Sequence, residues 1–144
     1  MFLLFTYVEI PSYWVPQPTD SNGREENVHL FQLDPLKDAQ EYKKVSDQFR
    51  QSCTQRIIKI ERVQNPTLYG IYAVKKQKMD KERAQGSNEM WLFHGTKGPK
   101  CELINHKGFN RSFCGENGKY ILACVFLRVY SCFEYVYFLS FCFL

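Results

Sequence analysis

Apolar positions along the chain alternate between short runs spaced for strands and longer stretches spaced for helices. Residues 28–33 (VHLFQL) read as a strand. Asp34-Pro35 then opens a helix, with Asp34 as N-cap, Pro35 at the first helical position, and Leu36, Ala39, Tyr42, Val45 and Phe49 at helical spacing. The β-branched stretch 56–63 (RIIKIERV) predicts a second strand. The opening pattern repeats at Asn65-Pro66, which predicts a second helix with Leu68, Ile71, Tyr72 and Met79 on one face. Its charged end, 75–83 (KKQKMDKER), reads as a solvated helix end rather than a phosphate-binding patch. Residues 89–93 predict a short strand that delivers His94-Gly95-Thr96, and 101–107 predict about two helical turns stopped by Gly108.

The flanks of this region read differently. Prolines at 11, 16 and 18 forbid a helix over residues 7–20, so the segment is an extended lead-in that lays Tyr13 and Trp14 on the core. Asn22-Gly23 is a turn within a polar loop, and 109–119 is a second polar loop. Strands separated by helices point to a mixed domain, which we read as α+β. The expected divisions are a lead-in over 1–27, the domain over 28–120, and an apolar segment over 121–144.

Composition sharpens that last division. The 144 residues carry 19 Lys+Arg against 15 Asp+Glu, a net charge of +4 that is too mild to imply nucleic acid. Residues 121–144 hold 20 apolar residues among 24, with Arg128 and Glu134 as their charges. Three readings compete for this segment: sequence foreign to the domain, a membrane anchor of spanning length, and a pair of strands that fills a missing part of the core. The six cysteines are expected to be reduced thiols, because the N-terminus shows no secretory signal, and the expected location is nuclear or cytoplasmic.

Chemistry concentrates where the third strand meets His94-Gly95-Thr96. A glycine there lets a ligand approach the main chain, whose N–H and C=O can pair with a planar amide, and histidine can donate to a hydroxyl. A satisfied structural histidine is the competing reading. His94, Cys101, His106 and Cys114 lack zinc-ligand spacing, so no metal is expected. Residues 115–119 (GENGK) lack the glycine spacing of a phosphate-binding loop, and no base stands near Cys101 or Cys114 in a way that would make either a nucleophile.

Residues 91–96 (WLFHGT) and 104–115 (INHKGFNRSFCG), with 61–66 (ERVQNP) before them, closely resemble the catalytic domain of the poly(ADP-ribose) polymerase family. The resemblance covers roughly 28–119 and is best to the mono-ADP-ribosyltransferase branch, especially its macrodomain-containing members. It implies the N-terminal half of an ADP-ribosyltransferase fold, NAD+ as the ADP-ribose donor, and protein side chains as acceptors. By resemblance, His94 is the first member of a histidine–tyrosine–variable triad and binds the adenosine ribose of NAD+. Gly95 holds the nicotinamide carboxamide, Thr96 supports the turn, and Asn110 and Arg111 approach the diphosphate.

The likeness stops near Asn117. The family's next motif, Y-G-x-G-x-Y-F-A, is absent, and Tyr120 lacks the glycines that would mark it as the nicotinamide-stacking tyrosine. The implied activity is transfer of ADP-ribose from NAD+ to protein side chains, mono- rather than poly-, with the chain as it stands expected to be inactive. The alternatives are a non-catalytic NAD+- or partner-binding module and a tail-anchored membrane protein. Direct nucleic-acid contact is not expected, and membrane contact only through 121–144.

Overall fold

The fold is known from a computed structural model that describes residues 8–82, 89–96, 98–108, 122–131 and 135–142. Its elements in chain order are β1 (His29–Gln32), α1 (Ala39–Ser52), β2 (Ile57–Gln64), α2 (Pro66–Glu82), β3 (Glu89–Thr96), α3 (Gly98–Lys107), β4 (Leu122–Ser131) and β5 (Tyr135–Cys142). The strands form one sheet in the order β1-β2-β4-β5-β3, with every pairing antiparallel. The architecture is α+β.

Local chemistry explains where the helices start. Asp34 accepts hydrogen bonds through Oδ1 from the backbone N–H groups of Leu36 and Lys37, at 2.8 and 3.0 Å. Asp38 answers by accepting from the Asp34 N–H at 2.8 Å. These bonds close a turn over 35–38, and α1 begins only at Ala39. The expected cap at Asp34 therefore serves a separate turn, and Leu36, expected on the core face, is 87% exposed. The two backbone N–H groups hold the Asp34 carboxyl below its ordinary range, because they bind its charged form.

Asn65 is the cap the sequence predicts for α2. Its Oδ1 accepts from the Leu68 N–H at 3.0 Å, and its Nδ2 donates to the Asn105 carbonyl at 2.9 Å, tying α2 to α3. Asn65→Ala removes the cap and strands a buried carbonyl. The expected loss is about 2 kcal/mol in urea unfolding; a loss under about 0.5 kcal/mol would show that the cap is dispensable. Leu68, Tyr72 and Met79 are buried on α2 as expected, but Ile71 is 47% exposed, so the apolar face is narrower than its spacing suggests.

The main core lies between α1 and the sheet. Val45 and Phe49 of α1 bury against Leu33 and Ile60, with Phe31, Trp91 and Phe93 packed around them. The lead-in is extended, as its prolines require. Its Trp14 meets Tyr69 of α2 at 5.4 Å between ring centroids, while Tyr13, expected to be buried, is 56% exposed. Gly23, at φ 74°, makes the turn that closes the Thr19–Glu25 bridge, a conformation that suits glycine.

Residues 122–131 and 135–142 enter the sheet as β4 and β5, between β2 and β3. The backbone of the described part of the apolar segment thus forms two strands. Among the described residues, no helix is long and apolar enough to cross a membrane.

Candidate functional site

β3 carries the candidate triplet, and several contacts fix that strand. Trp91 and Phe93 lie toward α1, where the Phe49 and Phe93 rings meet edge-on at 5.9 Å. The Lys44 ammonium sits 4.1 Å from the Trp91 ring centroid, a cation–π contact on the same side. At the start of the strand, Glu89 accepts from the Tyr72 hydroxyl and pairs with Lys76 at 3.0 Å. Partial burial alone would lower the Lys76 ammonium, but its hydrogen bond and charge contact with Glu89, joined by Asp80, raise it above its ordinary value. The strand is thus pinned by α1 along its length and by α2 at its first residue.

The strand runs farther than its apolar residues suggest. His94, Gly95 and Thr96 are its last three residues rather than a turn that follows it. Among the described strands, β3 pairs with β5 alone. Half of the main-chain N–H and C=O groups along it therefore point away from its partner. Gly95 is exposed on this edge strand and Thr96 is buried. A glycine at such an edge leaves the main chain open to a planar amide, which fits a carboxamide-bearing ligand. His94 is adjacent by backbone; its side chain is outside the described part of the structure.

One residue beyond β3 separates it from α3, which begins at Gly98, three residues before the expected helix start at Cys101. Gly108 ends α3 with φ 72°, and its N–H bonds the Ile104 carbonyl at 2.8 Å. A Cβ at Gly108 would stand 3.2 Å from Leu68 Cδ2, so both backbone conformation and space favour glycine there. Asn110 and Arg111, expected at the diphosphate, follow two and three residues later and lie outside the described residues, as do Cys114 and Tyr120. Cys101 is buried and not in a disulfide, and His106 is exposed on the last turn of α3. Among the described residues, no three His, Cys, Asp or Glu side chains cluster as metal ligands would.

Sheet register adds neighbours that spacing could not reveal. Tyr137 stands opposite His94, Val136 opposite Gly95 and Tyr135 opposite Thr96. These positions are 39 to 43 residues away in sequence, and only the pairing of β3 with β5 brings them together. A tyrosine-rich segment was visible in the chain, but nothing local set its register.

No protein-family model matches the chain. Curated proteins do. The chain is 41% identical over 114 residues to human protein mono-ADP-ribosyltransferase PARP14, which covers 76% of the chain and 6% of the relative. It is 40% identical over 63 residues to mouse protein mono-ADP-ribosyltransferase PARP10, covering 44% of the chain and 7% of the relative. It is 32% identical over 112 residues to human protein mono-ADP-ribosyltransferase PARP12, covering 76% and 15% respectively. The chain thus spans a small share of each relative's length. Over most of its own length, it belongs to the poly(ADP-ribose) polymerase family, as a relative of part of that family's mono-ADP-ribosyltransferases.

Proposed function

We propose that the chain carries the donor-binding part of an NAD+-dependent protein mono-ADP-ribosyltransferase. The observation that supports this most directly is an exposed Gly95 beside His94 on the edge strand of a chain whose relatives are named mono-ADP-ribosyltransferases. In the reaction, the bond between the nicotinamide nitrogen and the ribose breaks and nicotinamide leaves. A new bond forms from the ribose carbon to an oxygen, nitrogen or sulfur of a protein side chain, which releases its proton. This is a pentosyl transfer, and it needs no redox step.

The chain's own residues act by position. The Gly95 main chain takes the carboxamide, a rigid recognition that requires no ordering of a side chain. His94 donates to a ribose hydroxyl and so fixes the sugar relative to the leaving group. Thr96, buried at the end of β3, holds the strand end behind them. Positive charge grows on the ribose as the bond breaks, so geometry held through that stage lowers the barrier. Asn110 and Arg111 complete the reading as diphosphate contacts.

The test is a calorimetric titration of the 144-residue chain with NAD+, alongside transfer of labelled ADP-ribose to the chain itself. Saturable binding at one site is the expected result. Transfer in addition would make this chain an enzyme as it stands; binding without transfer would make it a donor-binding module. An absence of binding would overturn the proposal.

A further inference from the structure

Residues 13–17 lie across β2 in a seat made of buried polar side chains, and the seat reads their main chain. Gln64, fully buried, accepts the Val15 N–H on Oε1 at 3.2 Å and donates from Nε2 to the Val15 carbonyl at 2.8 Å. Arg62, also buried, donates from Nη1 to the Tyr13 carbonyl at 3.2 Å. In return, Gln17 Nε2 donates to the Gln64 carbonyl at 3.1 Å. Rings supply the side-chain contacts: Trp14 meets Tyr69 at 5.4 Å, and the Tyr13 ring centroid lies 5.0 Å from the Arg62 guanidinium. An amide side chain paired with both main-chain groups of one residue holds an extended peptide with little regard to that residue's own side chain, while the ring contacts select the sequence.

The reading groups are aimed by the body of the fold and not by the lead-in. Glu41 accepts from Arg62 Nε, and Arg62 Nη1 donates to Gln64 Oε1 at 3.2 Å. The seat therefore keeps its shape when the lead-in leaves, which removes much of the ordering cost of taking up another segment. The lead-in, for its part, fits incompletely. Gln17 Oε1 and His29 Nδ1, the latter on the β1 residue opposite Gln64, are buried and have no hydrogen-bond partner among the described residues. Each is a cost of the closed arrangement that release into water recovers. The link to β1 opens with few losses. Residues 19–27 are all exposed, and main-chain bonds of Asp20 with Gly23 and Arg24, with the Thr19–Glu25 bridge, close the turn within them. Fully extended, residues 18–26 reach about 30 Å, enough to pass from one copy's seat to a neighbour's.

We propose that this seat is a peptide-binding site, filled within the chain by residues 13–17 and open to the same residues of a second copy, so that two chains exchange lead-ins in a closed symmetric dimer. The sequence the structure shows in the seat is 13–17 itself, and a second copy's segment matches it atom for atom. Exchange makes between chains the contacts it removes within them, so concentration decides the balance. A segment tethered through a short linker competes at an effective concentration in the millimolar range, and the dimer is expected as the chain approaches about 1 mM.

The experiment uses the full 144-residue chain and a fluorescent synthetic peptide of residues 8–20 as the probe. Anisotropy should show saturable binding that unlabelled peptide reverses. A peptide carrying Trp14→Ala, or one methylated on the Val15 nitrogen, should bind about tenfold more weakly. These changes lie in the peptide, so folding of the chain is untouched. Trp14→Ala in the chain itself weakens the tethered competitor and leaves the seat intact, and it should tighten the unmodified peptide by about threefold or more. Light scattering should show a dimer near about 1 mM chain that excess unlabelled peptide returns to monomer. Four results would each overturn the proposal: a peptide that binds neither chain, a methylated peptide that binds as well as its parent, a chain that stays monomeric at that concentration, and a dimer that survives the peptide.

Discussion

Replacing His94 by alanine is expected to abolish measurable NAD+ binding by the chain, and with it any transfer of ADP-ribose. The histidine's proposed task is a hydrogen bond to a ribose hydroxyl, and its deletion leaves that hydroxyl without a partner in a site shaped to hold it. An unmade bond of this kind costs about 1–3 kcal/mol, or roughly ten- to a hundredfold in affinity. A loss of that size is expected to take a weakly held donor below the measurable range. The measurement is a titration of His94→Ala beside wild type, with thermal unfolding of both. His94 lies near the end of a strand that is held by other residues: Phe93 against Phe49, Trp91 beneath Lys44, and Glu89 against Tyr72 and Lys76. Unfolding should therefore change little while binding is lost. Unchanged affinity in a folded His94→Ala would remove histidine from the site and leave Gly95 without its neighbour's role.

The difference between locally and non-locally fixed parts explains what was legible in the sequence. Helices were, because their signals are local: Asn65 caps α2 three residues before the N–H it binds, and Gly108 stops α3 by its own backbone conformation. β1 and β2 were legible for the same reason, since β-branched and aromatic runs bounded by Asp-Pro and Asn-Pro fix both type and extent. Misreadings arose where a second local signal competed. Asp34 begins a cap pattern, but Asp38 closes the turn before the helix starts, and Leu36 is left exposed as a result. Ile71 fits the helical period, yet α2 is buried along a stripe that includes Leu68 and Tyr72 and excludes it.

Of the site, the residue types were legible and the assembly was not. His94 and Gly95 stand out by position at the end of an apolar run. Their cross-strand neighbours Tyr137 and Val136 depend on an order, β1-β2-β4-β5-β3, in which β3 pairs with the last strand of the chain. Alternation within residues 135–142 is weak because both faces carry aromatic and aliphatic residues, so no period assigns them to a face or a register.

Replacing Glu41 by alanine is expected to destabilise the fold by about 3 kcal/mol, the lower end of the cost of breaking a buried ion pair. Arg62 is buried on the α1 side of β2, and Glu41 takes both its Nε and its Nη2 hydrogen bonds. Nη1 donates to the Tyr13 carbonyl and to Gln64 Oε1, each at 3.2 Å. The guanidinium lies 5.0 and 5.1 Å from the ring centroids of Tyr13 and Phe31. Without Glu41, a cation remains in a low-dielectric place with only neutral acceptors. The lead-in should loosen with it, because the contacts that tie residues 13–17 to β2 run through this arginine and Gln64: Gln64 also accepts from the Val15 N–H and donates to the Val15 carbonyl. Urea unfolding should show a lower midpoint at unchanged slope, and cleavage by a protease between residues 8 and 20 should quicken. Arg62→Met combined with Glu41→Ala removes both charges while keeping an unbranched apolar side chain near the two rings. It should recover more than half of the loss, since the penalty comes from the unpaired charge and not from the missing attraction. A single Glu41→Ala that costs less than about 1 kcal/mol would mean that the carbonyl and amide acceptors suffice to hold Arg62, and that the lead-in is fixed by Trp14 on Tyr69 instead.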